Sequence, residues 1–207
     1  YKKMGNHESK MTESNSQEEQ RMLPGSLHVC IGPMYAGKTS KLIETYEDML
    51  SDDKKTMVLT HSSEIRYSIE KLSTHDEKHI SCFKYDSIDA FIREKKEDIE
   101  SVDSVLIDEA QFFPDLFEKV LYMVNKMNKH VYVFGLDGDF QRNKFGQVLD
   151  LIPQCDTVEK LHSTCNVCRE PAIFSHRTCE SDKQVLVGSQ DAYQPLCRQC
   201  YNSKQNE

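Results

Sequence analysis

The chain has 207 residues, of which 26 are Lys or Arg and 34 are Asp or Glu, giving a formal net charge of -8 and a pI near 5.5. Binding to a polyanion requires a basic face, so we expect neither a nucleic-acid partner nor an anionic membrane surface. No apolar run approaches the roughly 20 residues of a membrane helix and no signal-peptide pattern is present, which favours a soluble, cytoplasmic protein.

The first segment, 1–24, is polar and dominated by Lys, Glu, Ser, Asn and Gln. A segment of this composition buries too little apolar surface to offset the entropy lost on ordering. We therefore predict that 1–24 is a disordered extension or a remnant of expression that lies outside the fold.

From residue 27 onward, short apolar runs alternate with amphipathic segments. The pattern predicts strands at 27–31, 56–60, 102–107, 131–135 and 157–161, and helices at 38–50, 88–99 and 116–127. Strands that are continuous apolar runs, separated by helices, are typical of a parallel sheet covered on both faces. The sequence therefore predicts an α/β domain.

A glycine-rich loop lies between the first predicted strand and the first predicted helix. It fits the P-loop pattern G-x-x-x-x-G-K-[ST] at every fixed position, and its residues are Gly32, Pro33, Met34, Tyr35, Ala36, Gly37, Lys38 and Thr39. In a P-loop, backbone N–H groups surround phosphate oxygens, the lysine reaches the outer phosphates and the threonine hydroxyl ligates Mg²⁺. The alternative is a chance glycine turn with an exposed lysine, which the flanking strand and helix disfavour.

Two acids, Asp108 and Glu109, follow the apolar strand predicted at 102–107. Ligands of open α/β sheets bind at the carboxyl ends of the strands. Asp108 is therefore a candidate to hold Mg²⁺, directly or through water, and Glu109 is a candidate to orient or deprotonate an attacking oxygen. A solvated acidic pair at the start of the next helix is the alternative. Together with the P-loop, these acids predict an ATP and Mg²⁺ site, but they do not identify the phosphoryl acceptor.

Four of the eight cysteines form two C-x-x-C pairs, Cys165 with Cys168 and Cys197 with Cys200. Two such pairs are typical of a tetrahedral zinc site that has no open position and is structural rather than catalytic. Four unrelated buried thiols, or a redox pair, are the alternatives. The other cysteines lack this spacing and are expected to be small buried hydrophobes: Cys30, Cys82, Cys155 and Cys179.

These motifs resemble those of type II thymidine kinases, the cellular and poxviral kind that join a P-loop domain to a zinc-binding lasso, and the resemblance covers nearly all of 25–201. The matching segments are GPMYAGKT at 32–39, IDEAQFFPD at 107–115, LDGDFQRNKFG at 136–146, CNVCREPAIFSHR at 165–177, VGSQDAY at 187–193 and CRQCY at 197–201. We accordingly predict a P-loop (RecA-like) α/β domain with a parallel sheet at 25–157, a small C-terminal zinc-binding lasso domain at 158–201 and a C-terminal tail at 202–207.

The resemblance implies an enzyme of pyrimidine nucleotide salvage that transfers the γ-phosphoryl group of ATP to the 5′-hydroxyl of thymidine, and also of deoxyuridine. Glu109 matches the family's catalytic base, and Arg66 matches an arginine that approaches the phosphates and the base. Ala110 and Gln111 complete the implied ATP-binding residues. The implied cofactors are ATP, catalytic Mg²⁺ and structural Zn²⁺. The family precedent is a homotetramer that thymidine triphosphate inhibits as the end product.

The resemblance also implies a nucleoside site. Its aromatic stacking residues are Phe112, Phe140, Phe145 and Tyr193. Backbone groups that bind the edge of the base come from Gln184, Val185, Leu186, Val187 and Gly188. The residues implied around the thymine methyl are Met34, Leu136 and Ser175. The sequence pattern alone favours ordinary core positions for the three phenylalanines.

The chain departs from the family pattern at five positions: Tyr35, Ala36, Ala110, Asp139 and Ser189. Asp139 replaces a threonine and adds a carboxylate near the expected sugar site, so we expect it to affect substrate selectivity more than the chemistry. Two other functional classes remain open. One is a nucleic-acid-dependent P-loop ATPase with a zinc ribbon, which the acidic pI and the short chain disfavour. The other is a nucleotide-binding regulatory protein without catalysis.

Overall fold

The computed structural model describes residues 24–63, 71–73, 79–179, 184 and 192–205. Its strands are β1 (Ser26–Ile31), β2 (Thr56–His61), β3 (Lys71–Ser73), β4 (His79–Ser81), β5 (Phe83–Tyr85), β6 (Ser104–Ile107), β7 (His130–Gly135), β8 (Thr157–Lys160), β9 (Ser163–Thr164), β10 (Pro171–Ala172), β11 (Phe174–Arg177) and β12 (Tyr193–Leu196). Its α-helices are α1 (Lys38–Ser51), α2 (Ile88–Glu94), α3 (Lys96–Ser101), α4 (Leu116–Asn125) and α5 (Arg198–Gln205). Two 3-10 helices span Ala110–Phe112 and Val148–Gln154.

Within the described residues, six strands form a single parallel sheet in the order β5-β2-β6-β7-β1-β8. The predicted parallel α/β sheet is therefore confirmed. In this order β7 lies between β1 and β6. Because parallel strands end at the same edge of a sheet, the loop after β1 and the acids after β6 leave the sheet one strand apart and on the same side.

Helices cover both faces of the sheet. On one face α1 contributes Leu42 and Ile43, which are buried against residues of the inner strands such as Val58 and Leu106. On the other face α2, α4 and the second 3-10 helix contribute apolar side chains to a larger core. Burial of each such side chain stabilises the fold by about 1.5 to 3 kcal/mol.

The single helix predicted at 88–99 is divided into α2 and α3. Lys95 lies between them with φ -114 and ψ 25, outside helical geometry. Ser87 begins α2 as its N-cap, because its hydroxyl accepts a hydrogen bond from the backbone N–H of Ala90 at 3.2 Å. The apolar period continues through the break, since Ile99 of α3 is as fully buried as Phe91 of α2, which explains why the pattern resembled one helix.

A small lobe follows the sheet and consists of two antiparallel hairpins, β9 with β10 and β11 with β12, together with α5. Its core contains Cys165, Ala172, Leu196 and Tyr201. The boundary predicted between 157 and 158 falls inside β8, which pairs with β1 along its whole length. We therefore propose that the small lobe begins after Lys160. None of the helices in the described ranges is long and apolar enough to cross a bilayer.

Helix α5 continues to Gln205 and so includes the first part of the segment 202–207, which was predicted to be a C-terminal tail. The sequence of α5 is strongly polar, so it carries little of the apolar periodicity that marks a helix. Instead, the helix begins directly after Cys197, and Tyr201 anchors it in the core of the small lobe. Its position thus depends on tertiary contacts that a local pattern does not contain.

Candidate active site

The lysine of the glycine-rich loop is hydrogen-bonded to carbonyl oxygens of the same loop. Gly37 has φ 81, in the left-handed region that favours glycine, and it directly precedes the first residue of α1. The Nζ atom of Lys38 donates hydrogen bonds to the carbonyl oxygens of Gly32 at 3.2 Å and Pro33 at 2.8 Å. Burial lowers the pKa of Lys38, and the nearby carboxylates of Glu109 and Asp108 oppose that shift. The loop therefore holds a cation next to the two acids that follow β6.

Asp108 directly follows β6 and is buried, with 1% of its surface exposed. The hydroxyl of Thr39 donates to the Oδ2 atom of Asp108 at 3.2 Å, so the start of α1 and the end of β6 meet here. A hydroxyl and a carboxylate are hard oxygen donors of the kind that Mg²⁺ prefers. The two side chains that the sequence predicted for Mg²⁺ are thus adjacent, and their donor atoms fit this ion.

Glu109 has a left-handed backbone conformation, and its carboxylate is hydrogen-bonded to a side-chain amide. Its φ of 50 and ψ of 38 lie in the left-handed region, which is strained for a glutamate. The Nε2 atom of Gln111 donates to the Oε2 atom of Glu109 at 2.6 Å. The Oε1 atom of Gln111 in turn accepts the backbone N–H of Leu136 at 3.0 Å, which fixes the orientation of the amide. Gln111 therefore positions the predicted catalytic base, a role that the sequence did not indicate.

Gly146 allows Gln111 to occupy this position. Gly146 has φ 60, and a Cβ atom on it would overlap the carbonyl oxygen of Gln111 and lie 3.0 Å from its carbonyl carbon. These are backbone atoms, which cannot turn aside as the end of a flexible side chain can. The glycine is thus required both by its own φ and by the close approach of Gln111.

Two of the predicted aromatic residues lie together. The rings of Phe112 and Phe145 meet edge to face, with centroids 5.5 Å apart. Phe145 is buried, whereas Phe112 is half-buried and also packs against His61 at the end of β2, at 5.7 Å between ring centroids. Of the two consecutive phenylalanines Phe112 and Phe113, it is Phe113 that lies in the core, with 1% of its surface exposed. Sequence pattern did not single out His61, because it ends an otherwise apolar strand without any motif around it.

The small lobe is hydrogen-bonded to the glycine-rich loop. The backbone N–H of Met34 donates to the Oγ atom of Ser175 on β11 at 2.9 Å. The hydroxyl of Ser163 on β9 donates to the carbonyl oxygen of Tyr35 at 3.0 Å, and Tyr35 itself has a left-handed φ of 62. Met34 and Ser175, both predicted for the nucleoside site, are thus in direct contact. Ser163 was not predicted, and its sequence neighbourhood carries no signal for this role.

Asp139 is engaged by the protein itself. Its Oδ1 atom accepts the backbone N–H groups of Gln141 and Asn143, each at 2.9 Å, and thereby closes the turn that follows β7. Its Oδ2 atom accepts a hydrogen bond from the side-chain amide of Gln184 at 3.0 Å. Only 8% of the residue's surface is exposed. The carboxylate therefore joins the turn to Gln184, one of the residues predicted around the base.

The four cysteines predicted to bind zinc come together in the small lobe. Their Sγ atoms all lie within 4.8 Å of one another, and those of Cys168 and Cys197 are 3.5 Å apart. A tetrahedral ion with Zn–S bonds of about 2.3 Å requires sulfur atoms roughly 3.8 Å apart, so the cluster fits Zn²⁺. Burial raises the pKa of Cys165, but hydrogen bonds from backbone groups, first that of Cys168, outweigh it and lower the pKa to about 6. A thiol of this kind is suited to bind metal as a thiolate.

Several predicted site residues lie outside the described ranges, and their predictions stay untested: Arg66, Val185, Leu186, Val187 and Gly188. Ser189, a departure from the family pattern, also lies outside these ranges. Gln184 is described, and its carbonyl oxygen accepts a hydrogen bond from the Nη2 atom of Arg177 at 3.0 Å. Tyr193 begins β12, and its hydroxyl contacts the same Nη2 atom. Arg177 is thus a further residue of this region that motif-based prediction did not include.

The fold and the site define a P-loop enzyme of the α/β class that carries a four-cysteine metal lobe. The family model described as thymidine kinase matches residues 25–201. A thymidine kinase of rice (Oryza sativa subsp. japonica) is 38% identical over 190 residues, which are 90% of this chain and 70% of the rice protein. The thymidine kinase of Bacteroides thetaiotaomicron is 36% identical over 190 residues, 92% of each chain. That of Sheeppox virus is 34% identical over 181 residues, 86% of this chain and 97% of the viral protein. The chain belongs to the thymidine kinase family.

Proposed function

We propose that this protein transfers the γ-phosphoryl group of ATP to the 5′-hydroxyl of thymidine, and also of deoxyuridine. The observation that carries the proposal is the meeting of Lys38, Asp108 and Glu109 at one edge of the sheet, with Phe112 in the 3-10 helix that directly follows Glu109. This arrangement combines a phosphate-binding cation, a candidate metal ligand, a candidate base and an aromatic surface. Membership of the thymidine kinase family indicates which nucleoside such a site accepts.

Each residue has a distinct part in this proposal. Lys38 and the backbone N–H groups of the loop bind the phosphates and offset their charge. Thr39 and Asp108 would hold Mg²⁺, which supplies charge stabilisation to the transferring phosphoryl group. Glu109 accepts the proton of the attacking 5′-hydroxyl, and Gln111 keeps its carboxylate oriented. Phosphoryl transfer needs mainly positioning and charge stabilisation, so a base with a fixed orientation suits this reaction.

The nucleoside would bind between the sheet edge and the small lobe. We assign stacking surfaces to Phe112, Phe140, Phe145 and Tyr193, and the surroundings of the thymine methyl to Met34, Leu136 and Ser175. The hydrogen bond between Met34 and Ser175 supports a pocket wall made jointly by both parts of the chain. An apolar pocket discriminates one methyl group by only about 1 to 3 kcal/mol, so deoxyuridine is expected as a weaker substrate.

Other features stay predictions that the family resemblance supports: a cytoplasmic homotetramer, inhibition by thymidine triphosphate, and roles for Arg66 and for 185–188 in binding the substrates. The competing class of nucleic-acid-dependent ATPase is not favoured, because the family match covers 25–201. A nucleoside panel with ATP and Mg²⁺ tests the proposal directly. ADP release that requires thymidine supports it, whereas release that requires a polynucleotide, or no release with any nucleoside, contradicts it.

The assignment of Glu109 is tested by Glu109→Gln, which keeps the shape of the side chain and removes its charge. Loss of a general base is expected to lower kcat by roughly 10² to 10⁴-fold, while ATP binding measured by titration remains close to that of the parent. Glu97→Gln, which removes an exposed acid on α3, is the matched control and should leave kcat unchanged. A Glu109→Gln variant within about threefold of the parent would exclude Glu109 as the base.

A further inference from the structure

Arg177 is a cationic residue in an unusual place. It ends β11, and only 6% of its surface is exposed. Because side chains alternate along a strand, Arg177 and Ser175 share one face of β11, and Ser175 meets the P-loop backbone on that face. Burial of a guanidinium is unfavourable unless surrounding groups bind it. The groups that bind Arg177 therefore indicate what the residue does.

The guanidinium contacts three residues that are all predicted to bind the nucleoside. Its central carbon lies 3.7 Å from the ring centroid of Phe140, which is a stacked cation–π contact. Its Nη2 atom donates to the hydroxyl of Tyr193 at 2.5 Å and to the carbonyl oxygen of Gln184 at 3.0 Å. A planar group with several fixed donors can make all of these contacts at once, which a lysine ammonium cannot do.

Phe140 is also held through its backbone. The hydroxyl of Tyr201 on α5 donates to the backbone carbonyl of Phe140 at 2.6 Å. Tyr201 is buried in the small lobe next to the cysteine cluster, so the backbone of Phe140 is tied to the metal-binding region. Arg177 covers one face of the Phe140 ring, so the side chain and the backbone of Phe140 are held by different partners.

We propose that Arg177 is a positioning residue for nucleoside binding, which sets the ring plane of Phe140 and the hydroxyl of Tyr193 before the substrate arrives. This inference rests on the proposed thymidine kinase activity. Side chains that are already ordered lose less conformational entropy when a ligand binds, so their pre-ordering strengthens binding without any contact between Arg177 and the ligand. Loss of Arg177 should raise the KM for the nucleoside and not the KM for ATP, because the contacts of Arg177 named above are all with residues predicted to bind the nucleoside.

The test is Arg177→Met, which keeps an unbranched side chain, and Arg177→Lys, which also keeps the charge. We expect both to raise the KM for thymidine by about tenfold, the cost of ordering one or two side chains on binding, with the KM for ATP nearly unchanged. The matched control is Arg142→Met. Arg142 also stacks on aromatic rings of the small lobe, those of Phe174 and Tyr201, but it is exposed. It should leave both KM values as in the parent.

Tyr193→Phe tests the same idea with a milder change that preserves the ring. If Arg177 acts through the hydroxyl, the combined variant Arg177→Met with Tyr193→Phe should raise the KM for thymidine by less than the product of the two single effects. Zinc content and thermal unfolding of each variant identify general damage to the small lobe.

The inference is overturned if the KM for thymidine is unchanged in Arg177→Met, if Arg177→Lys restores it to the value of the parent, or if both KM values rise equally together with loss of zinc. A parent protein that phosphorylates no nucleoside overturns the proposed function as well. An active parent with an unaffected Arg177→Met variant overturns this inference alone.

Discussion

Gly146→Ala should damage the site through the backbone of Gln111. At φ 60, an alanine enters a left-handed conformation that costs roughly 1 to 2 kcal/mol for residues with a Cβ atom. The added methyl group also overlaps the carbonyl oxygen of Gln111 and lies 3.1 Å from its Cα atom. Forcing such an overlap typically costs about 1 to 3 kcal/mol. We therefore expect a total loss of about 2 to 5 kcal/mol in the free energy of unfolding.

For a chain of this size, each kcal/mol lowers Tm by about 2 to 4 °C, so the variant should melt roughly 4 to 20 °C below the parent. Displacement of Gln111 should also release Glu109 from its hydrogen bond and lower kcat at temperatures where the variant is fully folded. Gly138→Ala is the matched control. Gly138 lies in the same loop after β7 and lacks a left-handed φ. A Cβ atom on Gly138 would have its nearest neighbour, the carbonyl oxygen of Asn143, at 3.3 Å. A Gly146→Ala variant that melts with the control and keeps the kcat of the parent would refute this reasoning.

Three further predictions concern the metal, the phosphate loop and pH. Cys168→Ser should lower the bound zinc from about one ion per chain, measured by atomic absorption, and destabilise the small lobe. Ser163→Ala should raise the KM for ATP by about threefold, since it removes a single hydrogen bond to Tyr35, and should leave the KM for thymidine unchanged. Burial lowers the pKa of His28, so the unfolded chain binds a proton at this residue more readily than the folded protein does. The free energy of unfolding, measured with urea, should therefore carry the full contribution of neutral His28 above about pH 6.5 and decrease as the pH falls below that value. This decrease should be smaller in His28→Gln.

Controls separate these predictions from general damage. Ser203→Ala removes a hydroxyl whose hydrogen bond stays within α5, so it should not change the KM for ATP. A fully folded, active protein without zinc would contradict the structural role of the cysteines. A pH dependence of stability that is identical in the parent and in His28→Gln would show that His28 contributes nothing to it.

The parts of the site that the sequence predicts well are those encoded by contiguous residues. The loop from Gly32 to Thr39 needs a strand, glycines and a helix in succession, and all three are local properties. Asp108 and Glu109 follow a strand whose burial is evident from its apolar residues. Parallel pairing then brings these two segments to the same edge of the sheet, so a correct fold class suffices to predict their proximity.

The parts that the sequence does not predict depend on contacts between distant residues. The short strands β3, β4 and β5 contain polar residues and lack a clear period, and they are defined by pairing. Ser163 and Arg177 contact residues that are distant in sequence and that only the packing of the small lobe brings near. Gln111 was predicted for ATP binding through the family pattern, but its hydrogen bonds to Glu109 and Leu136 become visible only in three dimensions.

Asp139 departs from the family pattern, and its carboxylate is bound by other groups of the protein. The departure from threonine suggested a free negative charge near the sugar. Instead, both oxygens of the carboxylate accept hydrogen bonds from the protein, two from the turn and one from Gln184. Nucleoside analogues altered at the sugar should therefore meet little direct repulsion from Asp139. We expect their acceptance to depend on the spacing between the turn and Gln184. A substitution at Asp139 should therefore alter the range of accepted nucleosides without any change in the predicted catalytic residues.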